Sequence, residues 1–263
     1  MRLTLKVLGL IWLGLFNAAL AAAGGVDTVL VVSIDALHPA ALSAKTTPNL
    51  HALMQSGRFT LDGRSVNPPK TLIAHTAMMT GLTPQKNGKL DNEWVSGAPR
   101  VKLPTLFDDA KRQGMHTAYY YAKSKLGYLV NAAIDDAGLE PGGGIERTLK
   151  FFGGSGPRFV FLHLSGLEYA GADSGWLSPE YLEELGRIDE ELAPLFSEVR
   201  QRGRYVLVIT SDHGGHERQH GTQHPEDFKL PLIVVTDATP TIRFGKGSWS
   251  IVNLRALLRN LLS

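Results

Sequence analysis

One alternation constrains this chain more than any other feature. Short runs rich in apolar, β-branched and aromatic residues, Thr28–Ser33, His116–Tyr121, Arg158–Leu164, Tyr205–Thr210 and Leu230–Val235, are separated by longer stretches with helical spacing. Such runs suit strands covered on both faces, so the pattern predicts a three-layer α/β/α sandwich with a mostly parallel central sheet. Helices are expected around Thr47–Gly57, with Thr46 or Thr47 as cap and Pro48 in the first turn, and over 71–80, Leu103–Gly114, Pro179–Arg202 and Asn253–Leu262. The segments 86–101, 138–157 and 237–248, rich in Gly, Pro and polar residues, read as loops.

In a parallel sheet the carboxyl ends of the strands converge on one edge, and open α/β folds bind ligands there. Asp35 follows the first strand, Glu168 lies just beyond the Arg158 strand, and Asp212-His213 follows the Tyr205 strand. The last of these opens the run Ser211-Asp-His-Gly-Gly-His-Glu-Arg-Gln-His-Gly-Thr-Gln-His224, which holds four of the chain's nine histidines. Imidazole and carboxylate are the ligand types zinc prefers, so this run reads as part of a metal site. The chain has no cysteine. Any metal must therefore be held by Asp, Glu, His or a hydroxyl, and no disulfide contributes. A further element is Lys70-Thr71 at an expected helix start, where free N–H groups favour an anion such as phosphate. Taken alone, Thr71 is either an ordinary capping hydroxyl or a nucleophile activated by a metal.

The first 23 residues read as a secretory signal peptide: Arg2 and Lys6 precede the apolar run Val7–Phe16, and Ala19–Ala23 offers small-residue cleavage sites. The run is short for a membrane span, so export without a stable membrane anchor is expected, to a periplasmic or secreted destination. Residues 24–263 are expected to form a single catalytic-type domain, since 263 residues suffice for one sizeable α/β core. The formal charge of +2 includes the basic leader. A nearly neutral mature chain gives no electrostatic basis for bulk nucleic-acid binding.

In order, the Asp35 strand, Lys70-Thr71 with Thr80-Gly81-Leu82-Thr83-Pro84, the Asn92 loop, Glu168-x-x-Gly171 and Ser211-Asp-His-Gly214 resemble the alkaline phosphatase superfamily. The likeness is to its nucleotide pyrophosphatase/phosphodiesterase branch, in a compact bacterial-type form. It implies an alkaline-phosphatase-like fold and a metal-dependent phosphoryl-transfer hydrolase acting on a small phosphate ester or nucleotide-like substrate. Asp35, Thr71, Asp212 and His213 match ligands to one divalent metal, with Thr71 also the nucleophile. Asn92 matches a donor to a phosphoryl oxygen, Lys70 the lysine that often precedes the nucleophile, and Glu168 and His220 the second-metal group. Zinc is the expected ion, one or two per chain, with manganese and magnesium as alternatives. The sulfatase branch would share the fold, but it places Cys or Ser before Pro-x-Arg where this chain has Thr71-Leu-Ile-Ala74.

The chain departs from the family at the second metal. The family pattern Asp-x-x-Gly-His appears here as Glu168-Tyr-Ala-Gly171-Ala172, so a ligating imidazole is replaced by a methyl group. His216, His224 or Asp173 could compensate, and each reads equally as a solvated loop residue. The alternative function is a degenerate relative that binds a metal or an anion with little turnover. His75 and His163, on an apolar helix and strand, are expected to be satisfied core histidines; His38, His51 and His116 carry no local pattern.

Overall fold

The computed structural model describes residues 25–238 and 249–263. The expected signal peptide lies outside the described residues, as does most of the expected 237–248 loop. The elements run β1 (Thr28–Ile34), α1 (Pro48–Ser56), β2 (Arg58–Arg64), α2 (Thr71–Thr80), α3 (Pro84–Asn87), α4 (Leu106–Arg112) and β3 (His116–Tyr121). They continue through β4 (Asp136–Leu139), α5 (Ile145–Phe152), β5 (Arg158–Leu164), α6 (Gly166–Ser174), α7 (Pro179–Arg202), β6 (Tyr205–Thr210), β7 (Lys229–Thr236) and α8 (Leu254–Leu262).

The strands form one seven-stranded sheet in the order β2-β7-β6-β1-β5-β3-β4. β1 pairs in parallel with both β5 and β6, β3 pairs in parallel with β5 and β4, and β7 runs antiparallel to its two neighbours. Alternate side chains point to opposite faces, and each face is covered. Val29, Val31, Phe159, Phe161, Val206 and Val208 pack with residues of α2, α4 and α8 on one side. Leu30, Val32, Val160, Leu162, Leu207 and Ile209 pack with α1, α5 and α7 on the other. This is the expected three-layer sandwich. Among the described residues no helix is long and apolar enough to cross a membrane.

Local chemistry sets the element ends. Thr47 precedes α1 and Pro48 opens it, while Asp189 of α7 accepts the N–H groups of Asn49 and Leu50. α4 is shorter than its sequence pattern because Thr105 and Asp108 form a reciprocal capping box that fixes the first turn at Leu106. Several elements depart from the sequence reading. The expected 138–157 loop contains the end of β4 and all of α5, because Ile145, Leu149 and Phe152 recur at helical spacing behind a glycine run that masks the start. The 86–101 loop begins inside α3. β2 carries no strand signature because it is a polar edge strand, largely exposed and interrupted by a register shift between Thr60 and Gly63.

Candidate metal and active site

The sheet brings the expected residues to one edge by register. Ser33 lies opposite Thr210, so Asp35 and Asp212, each two residues on, emerge side by side. On the other flank Asp35 N–H donates to Leu164 O, and the chain then turns into α6, whose first turn carries Glu168. β3 ends one strand further out at Tyr121, and Lys123 follows it.

Asp35, Asp212 and His213 are fully buried and form a group able to hold a cation. In each, one polar atom is fixed and the other is free. Asp35 Oδ2 accepts from His163 Nε2 at 3.0 Å and pairs with Lys123 Nζ at 2.6 Å. Asp212 Oδ1 accepts from Ala36 N–H, and His213 Nδ1 donates to Gly214 O at 2.8 Å. Asp35 Oδ1, Asp212 Oδ2 and His213 Nε2 have no hydrogen-bond partner. His213 Nε2 stands 3.3 Å from Asp35 Oδ1 and 3.5 Å from Asp212 Oδ2. Buried polar atoms left unpaired are costly, about 1–3 kcal/mol each. Three of them converging, with their opposite atoms oriented by outer partners, fit the donor set and the supporting shell of a divalent metal.

Thr71 is the first residue of α2 and is buried; Lys70, in extended conformation, holds the capping position. Thr71 therefore does not cap its helix. Its Oγ1 accepts from Lys123 Nζ at 3.2 Å, so one ammonium touches both Thr71 and Asp35. Asn92 lies beside it, with Oδ1 accepting the Leu72 N–H at 2.8 Å. That bond uses one N–H of the helix terminus and leaves the Asn92 amide nitrogen as a donor. The stem of Lys70 lies against Gly221.

Glu168 and His220 form a second group with His213. His220 Nε2 is 3.0 Å from Glu168 Oε1, and its ring stacks on His213 at 4.3 Å between centroids. The other carboxylate oxygen of Glu168 pairs with Lys123. Ala172 and Asp173 are exposed. His216 instead bonds Asp227 at 2.7 Å and stacks on His224, a separate group of its own. None of the three residues considered as replacements joins Glu168 and His220 among the described residues.

Electrostatics in the site are strongly coupled. Burial acts to raise Asp35, but the Lys123 charge, the bond from His163 and the nearby His213 imidazole hold it well below the ordinary carboxylate value. Burial and Asp35 likewise act to raise Glu168, and His220 and Lys123 outweigh them. Burial disfavours a charged His213, yet Asp212 and Asp35 lift it to about 9. Lys123 is raised despite burial because Asp35, Glu168 and Asp212 surround it.

His75 is the core histidine expected: Nδ1 donates to Thr71 O, Nε2 accepts from Ser33 Oγ, and burial drives it down to about 4. His163 is more than that, since it bonds a proposed ligand directly; its position beside Asp35 depends on the β1–β5 pairing, which the sequence does not print. Lys123 escapes the sequence reading altogether. Its signal is the one that marks Asp35 and Asp212, a polar residue just past the end of a buried strand. Two glycines complete the frame. A Cβ at Gly171 or Gly215 would run into the indole of Trp176, whose Nε1 donates to Ala36 O. A cleft of about 1070 Å³ is lined by Tyr120, Asp136, Glu140 and Arg147 among others and by none of these site residues.

A family model described as type I phosphodiesterase / nucleotide pyrophosphatase matches residues 29–244. Human ectonucleotide pyrophosphatase/phosphodiesterase family member 1 is 24% identical over 201 residues, covering 64% of this chain and 21% of that protein. GPI ethanolamine phosphate transferase 1 of Neurospora crassa is 40% identical over 78 residues, covering 28% of this chain and 8% of that protein. The chain thus spans less than a quarter of the length of these curated relatives. Among solved structures, murine ectonucleotide pyrophosphatase / phosphodiesterase 5 superposes with a TM-score of 0.72 at 15% identity, over 89% of this chain and 95% of that one. A 2-O glycosaminoglycan sulfatase superposes with a TM-score of 0.69 at 12% identity, over 90% of this chain and 70% of that one. The chain belongs to the type I phosphodiesterase / nucleotide pyrophosphatase family of the alkaline phosphatase superfamily.

Proposed function

We propose that this protein is a metal-dependent phosphoryl-transfer hydrolase that uses Thr71 as its nucleophile. The observation that supports this best is the meeting of three unpartnered buried atoms, on Asp35, Asp212 and His213, in a site that also holds the Thr71 hydroxyl. Asp35, Asp212, His213 and Thr71 would hold a divalent metal, which when bound lowers the pKa of a hydroxyl and offsets phosphoryl charge. Thr71 Oγ1 attacks phosphorus; the P–Oγ1 bond forms, the bond to the leaving oxygen breaks, and the hydroxyl proton is lost to solvent. Water then attacks the phosphothreonine, the P–Oγ1 bond breaks, and Oγ1 regains a proton. Asn92 donates its amide N–H to a phosphoryl oxygen, held in place by the bond from Leu72.

The substrate class is a phosphodiester or a nucleotide-like pyrophosphate. Family membership supports it, and an inactive variant of the murine relative has been solved in complex with AMP. Work outside the cytoplasm is proposed from the Arg2–Ala23 leader, and amino-terminal sequencing of the secreted form should begin near residue 24. The function is tested by hydrolysis of bis-p-nitrophenyl phosphate with added zinc or manganese. Wild type should turn over, and Thr71→Ala and Asp212→Asn should not. The second reading, a binding protein with little turnover, is favoured by exposed Ala172. Metal binding without turnover on diesters or monoesters would select it.

A further inference from the structure

We propose that the Lys123 ammonium takes the place of a second metal ion, so that this chain works with one bound divalent cation and one cation of its own. The inference rests on the reading of Asp35, Thr71, Asp212 and His213 as a metal site.

Lys123 is held where its charge counts. β3 delivers it to the active edge, and the Ala122 N–H donates to His163 Nδ1, which ties the end of that strand to the histidine that also bonds Asp35. Its side chain is 11% exposed. Nζ reaches Asp35 Oδ2 at 2.6 Å, Thr71 Oγ1 at 3.2 Å, and the carboxylate of Glu168. An ammonium has three donors, and here each has its own oxygen acceptor. It bridges the carboxylate of the first group, the carboxylate of the second and the reacting hydroxyl, the task a second ion has in a two-metal site.

The Glu168 group does not fit a divalent ion. Ala172, one helical turn after Glu168, offers no ligand, and Asp173, His216 and His224 lie elsewhere. Of the two Glu168 oxygens, one is paired with His220 and the other with Lys123. His213, the third member of that group, is committed to the first ion; the two protein ligands left hold a metal weakly, and a neighbouring ammonium repels it. Charge agrees: ionised Asp35, Asp212 and Glu168 balance one divalent ion and one lysine. Because Nζ touches Oγ1 itself, Lys123 is a catalytic residue that favours the alkoxide form of Thr71 and meets the phosphoryl charge as it develops.

The test is metal stoichiometry of the full-length protein at saturating zinc, measured by elemental analysis beside turnover of bis-p-nitrophenyl phosphate. Wild type should hold one ion per chain. Lys123→Ala should still hold one and lose about 10²–10³-fold in kcat. Two ions in wild type, or Lys123→Ala turning over within a few-fold of wild type, overturns the proposal while leaving the hydrolase reading intact. No ion in wild type, with Thr71→Ala without effect, overturns both.

Discussion

His163 Nε2 donates to Asp35 Oδ2 at 3.0 Å, and its Nδ1 accepts the Ala122 N–H, so a histidine inside the sheet aims a proposed metal ligand. The backbone bond fixes the tautomer, because Nδ1 must carry the lone pair and Nε2 the proton. Outer partners of this kind hold ligand orientation and basicity. His163→Ala is therefore expected to weaken zinc binding about 10–100-fold, read by calorimetric titration. Unchanged affinity in a folded variant would reduce His163 to core packing.

The missing second-site ligand should be restorable. Ala172 lies one turn after Glu168 on α6, so residues there share a helix face. Combining Lys123→Ala with Ala172→His is expected to raise zinc content from one ion per chain to two, read by elemental analysis.

How much of this is legible in the sequence depends on the type of signal. β1, β5 and β6 announce themselves because both faces are covered, so the runs are dominated by apolar residues and Asp35 and Asp212 stand out where they stop. β2 and α5 do not: an exposed edge strand carries polar residues, and α5 hides behind Gly142-Gly143-Gly144. Lys123 is illegible for another reason. Its place just past β3 is a mark that Lys125, two residues on, blurs, and it is the ion pair with Asp35 in the folded chain that separates the two lysines.

The α1 terminus gives a prediction about stability alone. Thr47 supplies no side-chain cap; Asp189 accepts from Asn49 N–H at 3.0 Å, Leu50 N–H at 2.7 Å and the Asn49 amide at 2.9 Å. A carboxylate there also complements the helix dipole. Asp189→Ala should cost about 2 kcal/mol in urea unfolding, with kcat per folded molecule unchanged.

Asp109 supplies a pH dependence. It is buried, and Arg255 Nε binds Oδ2 at 2.6 Å while Arg112 and Arg259 pair with the same carboxylate. Burial acts to raise its pKa, and the arginines, Arg255 foremost, outweigh it and lower it. A lowered folded value means the group stabilises above the unfolded carboxylate pKa, about 3.9, and loses that contribution as pH falls through the folded value. Arg255→Met should therefore be destabilised more at pH 7 than at pH 3, by thermal or urea unfolding. An equal loss at both would remove the ion pair as its cause.

The most direct measurement is turnover of bis-p-nitrophenyl phosphate at saturating zinc by wild type and Thr71→Ala, each checked for folding and metal content. The account predicts bound metal and turnover in wild type, and only the buffer background in Thr71→Ala. A Thr71→Ala protein that hydrolyses the diester at the wild-type rate would contradict it, since the hydroxyl beside Asp35 and Lys123 could then not be the nucleophile.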